Sequence, residues 1–407
     1  MKHPFQTFVL MAALSSVAMS AQAQVTLART VKPDAYRIPS IVENHQGQLV
    51  ALYDHRAPNY RDVGFGNAIS IKARTSKNGR KWSEPHTVLH GDGTSGFSYA
   101  FGDAATVIDS KSDSVLLISA AGTASYHTCK GRGETDRLQV SRTWSVDGGR
   151  TWQATENISN QIYDLFGNDQ TLGSMFIASG RICQSRQIQG STGRYRLYAA
   201  VCTHQGSRVI YSDNFGQTWA VLGGRDARPV PTDGDEAKCE ELPDGNVLLS
   251  ARKGGGRYFN IFKYANPQTA SGEWQQSVAC PMITSNGGCN GEILVLPYAS
   301  KDHPKRYIAL QSTPTCTNGG ADGRGDVKIF YKYLNTSSDY DTPDDFTHWD
   351  GAIPVSDTSS AYSTMIPRKN GTLALLYEEN NQFVHERIEA YDIVFKQIDL
   401  AKALKTK

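Results

Sequence analysis

Residues 145–152 read Ser-Val-Asp-Gly-Gly-Arg-Thr-Trp, and residues 212–219 read Ser-Asp-Asn-Phe-Gly-Gln-Thr-Trp. Both fit one phrase, Ser/Thr-x-Asp/Asn-x-Gly-x-x-Trp. A degenerate third copy at 75–82, Thr-Ser-Lys-Asn-Gly-Arg-Lys-Trp, carries Lys77 where an acid belongs but keeps Gly79 and the tryptophan at the same offset. The tryptophans stand 70 and 67 residues apart. A period of this size, with several short strands per unit, predicts an all-β, six-bladed β-propeller of four-stranded antiparallel sheets. The chemistry of the phrase suits that architecture. Asp or Asn followed by Gly makes a tight turn, the hydroxyl and carboxylate bond the turn's own amides, and the indole fills the gap between sheets.

The surrounding sequence agrees. Short apolar or alternating runs at 49–53, 69–74, 106–108, 115–119, 195–200, 247–250, 307–310, 327–333 and 372–377 read as strands, separated by Gly, Asn, Asp and Pro turns. No segment reads as a long amphipathic helix, and no low-complexity linker divides the chain. Charged residues make up 20% of the 407 residues and the net charge is +2, so no basic stripe offers itself to nucleic acid.

Residues 1–23 resemble a secretory leader: Lys2 and His3 precede a mostly apolar stretch, and Ala21-Gln22-Ala23 supplies small residues for cleavage. The apolar stretch is too short for a transmembrane anchor. The expected product is a secreted or periplasmic chain of residues 24–407 forming a single domain and acting as a monomer. An exported setting permits disulfides. Cys183 and Cys202 lie on runs that a hairpin could join, and Cys280 and Cys289 enclose a short loop; each pair can be bonded or simply adjacent. No Cys-x-x-Cys occurs, the histidines are scattered, and each Asp turn offers only one or two carboxylates. Neither a zinc site nor a dense calcium site is indicated, and no cofactor is implied.

Tyr36-Arg37-Ile38-Pro39, followed by the repeats, resembles the sialidase pattern, in which the repeated phrase is called the Asp box. That phrase also occurs in unrelated propellers and binding proteins, so by itself it indicates fold more than activity. The resemblance extends to Glu378. In Gly234-Asp-Glu-Ala-Lys-Cys-Glu-Glu-Leu-Pro-Asp-Gly245 and the following Leu-Leu-Ser-Ala-Arg252, it implies that Glu236 is the catalytic glutamate and Arg252 the second arginine of a triad opened by Arg37. Glu241 is the rival for the first role, but it lies on the opposite strand face. The third arginine matches Arg324, ahead of the strand at 327–333, with Arg306 as the fallback. Ala361-Tyr362-Ser363 matches the nucleophile segment, and Glu378, 16 residues later, matches the carboxylate that steadies Arg37. Asp62 fits the acid/base position, Asp54 is assigned to orienting its neighbours, and Arg56 and Asp103 match positions around the sugar's 4-hydroxyl.

These residue types suit an acidic sugar. Sialic acid carries a carboxylate on its anomeric carbon, and three guanidiniums give a planar, permanently charged clamp. A carboxylate nucleophile would be repelled there, whereas a neutral phenol can approach and pass its proton to a base; sialidases use a Tyr nucleophile. The resemblance therefore implies an exo-alpha-sialidase that removes terminal sialic acid from glycoproteins, glycolipids or oligosaccharides with retention. Transfer to another glycan, as in a trans-sialidase, is the first alternative. A non-catalytic Asp-box propeller that binds glycans is the second.

Overall fold

A computed structural model describes residues 24–94, 96–129, 137–285, 288–315, 323–380 and 391–405. The leader-like residues 1–23 and Cys316 lie outside them. Six antiparallel sheets follow one another around a ring, giving a six-bladed β-propeller. Three sheets have four strands; the second, third and fourth blades have five. Several of the added pieces, such as Gly180–Arg181 and Val278–Ala279, are only two residues long, too short to carry any periodicity.

Every run read as a strand falls within or overlaps an observed one: 49–53 lies in Leu49–Arg56, and 327–333 in Val327–Leu334. The ring is closed by Gln24–Ala28, which pairs with Tyr391–Ile398 as the outermost strand of the sixth blade. Closure by a strand from the other end of the chain leaves no open gap between the last blade and the first.

The repeated turns join neighbouring blades. Ser145 Oγ accepts the Gly149 amide at 2.9 Å, and the Asp147 carboxylate accepts the amides of Arg150 and Thr151 at 3.0 and 2.9 Å. Ser212 Oγ accepts the Gly216 amide at 2.8 Å in the same way. The third copy is one residue tighter than its sequence suggests. There Ser76 accepts the Gly79 amide and Asn78 accepts those of Arg80 and Lys81, so Lys77 takes no acid's place. Trp82 meets Phe395 of the sixth blade edge-on at 5.1 Å, Trp152 packs against the cluster that includes Val42 and Val50 of the first, and Trp219 joins the cluster containing Leu116 of the second. Only glycine suits the close approach. A Cβ on Gly216, at φ 80°, would stand 2.4 Å from Leu116, and one on Gly79, at φ 73°, 2.7 Å from Phe395.

Those turn bonds hold the Asp147 carboxyl down at about 2, despite some opposing burial. A depressed carboxyl stabilises the fold above its ordinary value near 4 and ceases to do so as pH falls towards 2. Asp147→Ala is therefore expected to cost about 1–2 kcal/mol at pH 7. Urea unfolding of both proteins between pH 7 and pH 2 should show the gap closing with acidification.

The ring centre is filled. Residues 178–182 leave the third blade, and Gly180–Arg181 pairs in parallel with Ala105 and Thr106 of the second. Ser40 of the first blade bonds the Gly180 carbonyl, and Arg181 reaches Glu240 of the fourth blade and the Ile293 carbonyl of the fifth. One short segment can meet five blades only on the axis. All six described cysteines are free thiols, so Cys183 with Cys202 and Cys280 with Cys289 are not bonded. Among the described residues no helix is long and apolar enough to cross a membrane.

Candidate active site

Three inner strands become irregular where they meet one cavity. Ala35–Glu43 shifts register between Arg37 and Ser40, Phe101–Ile108 between Gly102 and Ala105, and Ser360–Pro367 between Ser360 and Ser363. Such bulges re-aim side chains that a regular pleat would send elsewhere. Ile38 and Asp103 pass through the left-handed region at φ 58° and 59°, an uncommon conformation for a non-glycine residue and a strained one for β-branched Ile38. The three shifts bracket Arg37, Asp103 and Tyr362.

The cavity is about 210 Å³, and its walls include Arg37, Asp62, Asp103, Glu236, Arg252, Arg324 and Tyr362. Glu236 stands just ahead of Ala237–Glu241, and the Arg252 amide donates to its carbonyl across the hairpin. That hairpin sets their side chains together. Arg252 Nη1 donates to Glu236 Oε2 at 2.6 Å and to the Tyr362 hydroxyl at 3.0 Å, while that hydroxyl donates to Glu236 Oε2 at 2.6 Å. Burial and the Glu236 charge push the Tyr362 phenol well above its usual range, against the pull of Arg252 and Arg324. The phenol is neutral at rest.

The other two arginines flank the same ring, with Arg37 Cζ 5.5 Å and Arg324 Cζ 5.6 Å from its centroid. Glu378, fully buried, fixes Arg37 with bonds of 2.8 and 3.2 Å and also accepts the amides of Ile38 and Tyr362. Arg324 Nε donates to the Gly288 carbonyl at 3.1 Å. The three guanidiniums thus converge on one phenol.

Asp62 stands half-exposed at the mouth, bonded to Arg56 Nη1. Burial raises its proton affinity, but Arg56 and then Arg37 outweigh burial and hold the carboxyl below its usual range. Arg56 is fully buried behind Asp62, tied to Asp54 at 2.8 Å and to the Tyr60 carbonyl, and is not part of the cavity wall. Of the two residues expected beside the sugar's 4-hydroxyl, Asp103 lies in the wall and Arg56 behind it. Asp103 has its carboxyl pushed well above the ordinary range by burial and by the charge of Asp54, which also accepts the Asp103 amide at 3.1 Å.

The discarded alternatives lie elsewhere. Glu241 is buried against Ser185 and Arg186, and Arg306 packs over Tyr298 and Tyr333. The sequence reading missed Tyr126, His127, Phe176 and Asp235 in the wall. For Asp235 a signal existed, since it adjoins Glu236. The others sit in segments with no recurring phrase.

No family model matches the chain. It is 26% identical over 356 residues to a sialidase of Micromonospora viridifaciens, covering 84% of this chain and 50% of that protein. The chain thus spans half the length of that relative. In fold it is similar to the intramolecular trans-sialidase from Ruminococcus gnavus in complex with oseltamivir carboxylate, with a TM-score of 0.72, 14% identity and coverage of 95% and 98% of the two chains. It is also similar to Trypanosoma rangeli sialidase in complex with 2,3-difluorosialic acid as a covalent intermediate, with a TM-score of 0.63, 15% identity and coverage of 94% and 60%. The sequence relative is a sialidase, and the six-bladed fold is shared with sialidase and trans-sialidase structures.

Proposed function

We propose that this protein is a retaining exo-alpha-sialidase acting on sialylated glycans. The observation that carries the proposal is the Tyr362 hydroxyl, 2.6 Å from a carboxylate that can take its proton and ringed by three arginines.

Arg37, Arg252 and Arg324 would hold the sugar carboxylate, leaving the anomeric carbon over the phenol. A neutral phenol meets that anionic sugar without repulsion. As its oxygen bonds to the anomeric carbon, the proton passes to Glu236, and the C–O bond to the aglycone breaks while Asp62 protonates the departing oxygen. Water, deprotonated by Asp62, then displaces the tyrosyl oxygen, which recovers its proton from Glu236. Two inversions retain configuration. The likeness to the Trypanosoma covalent intermediate supports this route. The likeness to the Ruminococcus trans-sialidase supports a second reading in which an acceptor other than external water completes the cycle.

Asp62 needs a proton to act as the acid, yet Arg56 and Arg37 hold it low in the free site. A bound sugar carboxylate neutralises Arg37, and the aglycone dehydrates Asp62. Both effects raise its proton affinity. The alkaline limb of kcat/KM, which reports the free enzyme, should therefore lie at lower pH than that of kcat. The same proposal places the enzyme in the periplasm or the medium, on the strength of the leader-like residues 1–23.

The test is hydrolysis of an aryl α-sialoside followed by proton NMR. Free sialic acid formed first as the α-anomer supports the proposal, and an intramolecular transfer product supports the second reading. The β-anomer first, or no release at all, contradicts it.

A further inference from the structure

Glu236 and the strand that follows it, Ala237–Glu241, send every second side chain to the axis of the ring. Glu236 meets Tyr362 in the cavity, and Glu240 meets Arg181 at 2.6 Å in the filled centre. Between them stands Lys238, 2% exposed and outside the cavity wall. The axial segment makes room for it: a Cβ on Gly180 would lie 2.8 Å from Nζ. That Nζ donates to the Ala178 carbonyl at a long 3.5 Å and forms no ion pair with any described residue.

An ammonium held out of water without an acid partner is among the most unfavourable groups a fold can contain. Burial lowers its hold on the proton, opposed chiefly by the charges of Glu292 and then Glu236. Glu292 has its own partners, since Thr364 donates to it at 3.0 Å and Arg181 stands 3.4 Å away. On the cavity side, Glu236 is faced by Arg252, Tyr362, Asp235, Asp103 and the Tyr126 phenol. Behind it stand Lys238, Arg257 and the thiols of Cys202 and Cys289, both of which burial keeps protonated. Arg257 is engaged by Ser250 and the Cys289 carbonyl through bonds of 2.7, 2.9 and 3.1 Å. Lys238 has no such engagement. A charge that local rules disfavour, kept one strand position behind a reacting carboxylate, is accounted for by its effect there.

Resting on the sialidase reading, we propose that Lys238 is a positioning residue that acts through Glu236: its ammonium favours the carboxylate form, which is the form that takes the Tyr362 proton. Residues two apart on one strand face stand about 7 Å from each other, where a unit charge inside a protein moves a carboxyl's titration by roughly one to two pH units.

The test is the pH profile of kcat/KM on an aryl α-sialoside, whose good leaving group needs little help from Asp62, so that the acid limb reports the base. In Lys238→Met and Lys238→Gln that limb should move up by roughly one pH unit, with the plateau largely kept. Gln retains a donor for the Ala178 carbonyl and Met does not, so equal shifts assign the effect to the charge. Thermal melting should find the Met variant no less stable than the wild type, because Met fills the space without a desolvated charge. An unmoved acid limb in folded variants overturns the proposal, as does a shift in the Met variant alone. A fall in melting temperature with the limb in place marks a lysine held for structure and overturns it too. No release of sialic acid by the wild type at any pH overturns the sialidase reading and this inference with it.

Discussion

Tyr362→Phe is expected to lower kcat/KM on an aryl α-sialoside by at least about a hundredfold with little loss of stability. The phenol is the atom group proposed to attack, and its removal leaves Glu236 and Arg252 still bonded to each other at 2.6 Å. Because that pair survives, the variant should fold and still bind the sugar. Steady-state kinetics together with a binding titration separate the two effects. Loss of turnover with binding retained is the expected result, and loss of both would place Tyr362 in substrate grip.

Arg37→Met should act on stability and on binding at once. Arg37 and Glu378 form a buried pair at 2.8 Å, with side-chain exposures of 5% and 0%. Removing one partner of a buried pair leaves the other charge uncompensated and costs about 3–5 kcal/mol. Glu378 softens the loss by accepting the amides of Ile38 and Tyr362, which favours the lower end of that range. Removing a charge-assisted clamp bond should also raise KM by roughly ten- to a hundredfold. Denaturant unfolding and Michaelis kinetics on the same preparation check both. A double variant, Arg37→Met with Glu378→Gln, should recover part of the stability and none of the binding.

The parts legible in the sequence were those with a local signature. Ser145, Asp147, Gly149 and Trp152 make their turn within eight residues, so the phrase carries its own physics and its period sets the blade count. Apolar runs such as Val115–Ala121, buried throughout, announce central strands. The site residues were legible by resemblance of phrase alone, since nothing in Ala361-Tyr362-Ser363 distinguishes that tyrosine from eighteen others by composition.

What stayed hidden is non-local. The parallel pairing of Gly180–Arg181 joins two residues to a strand more than seventy positions earlier, and no periodicity can register it. The left-handed turn at Ile38 opposes the intrinsic preference of a β-branched residue, so local rules predict a straight strand where the structure bends to deliver Arg37. Arg56 illustrates the limit of matching phrases. Its position relative to Asp62 follows from six residues of chain, but its complete burial behind that acid depends on Asp54 and the neighbouring blade.

The central claim is that a sugar carboxylate gripped by Arg37, Arg252 and Arg324 delivers its anomeric carbon to the oxygen of Tyr362. Incubation with a 3-fluorosialosyl fluoride, which slows the second displacement, followed by proteolysis and peptide mass spectrometry, tests it directly. One sialosyl adduct on the peptide containing Tyr362, abolished in Tyr362→Phe, is the predicted result. An adduct on another side chain in an enzyme that releases sialic acid would contradict it.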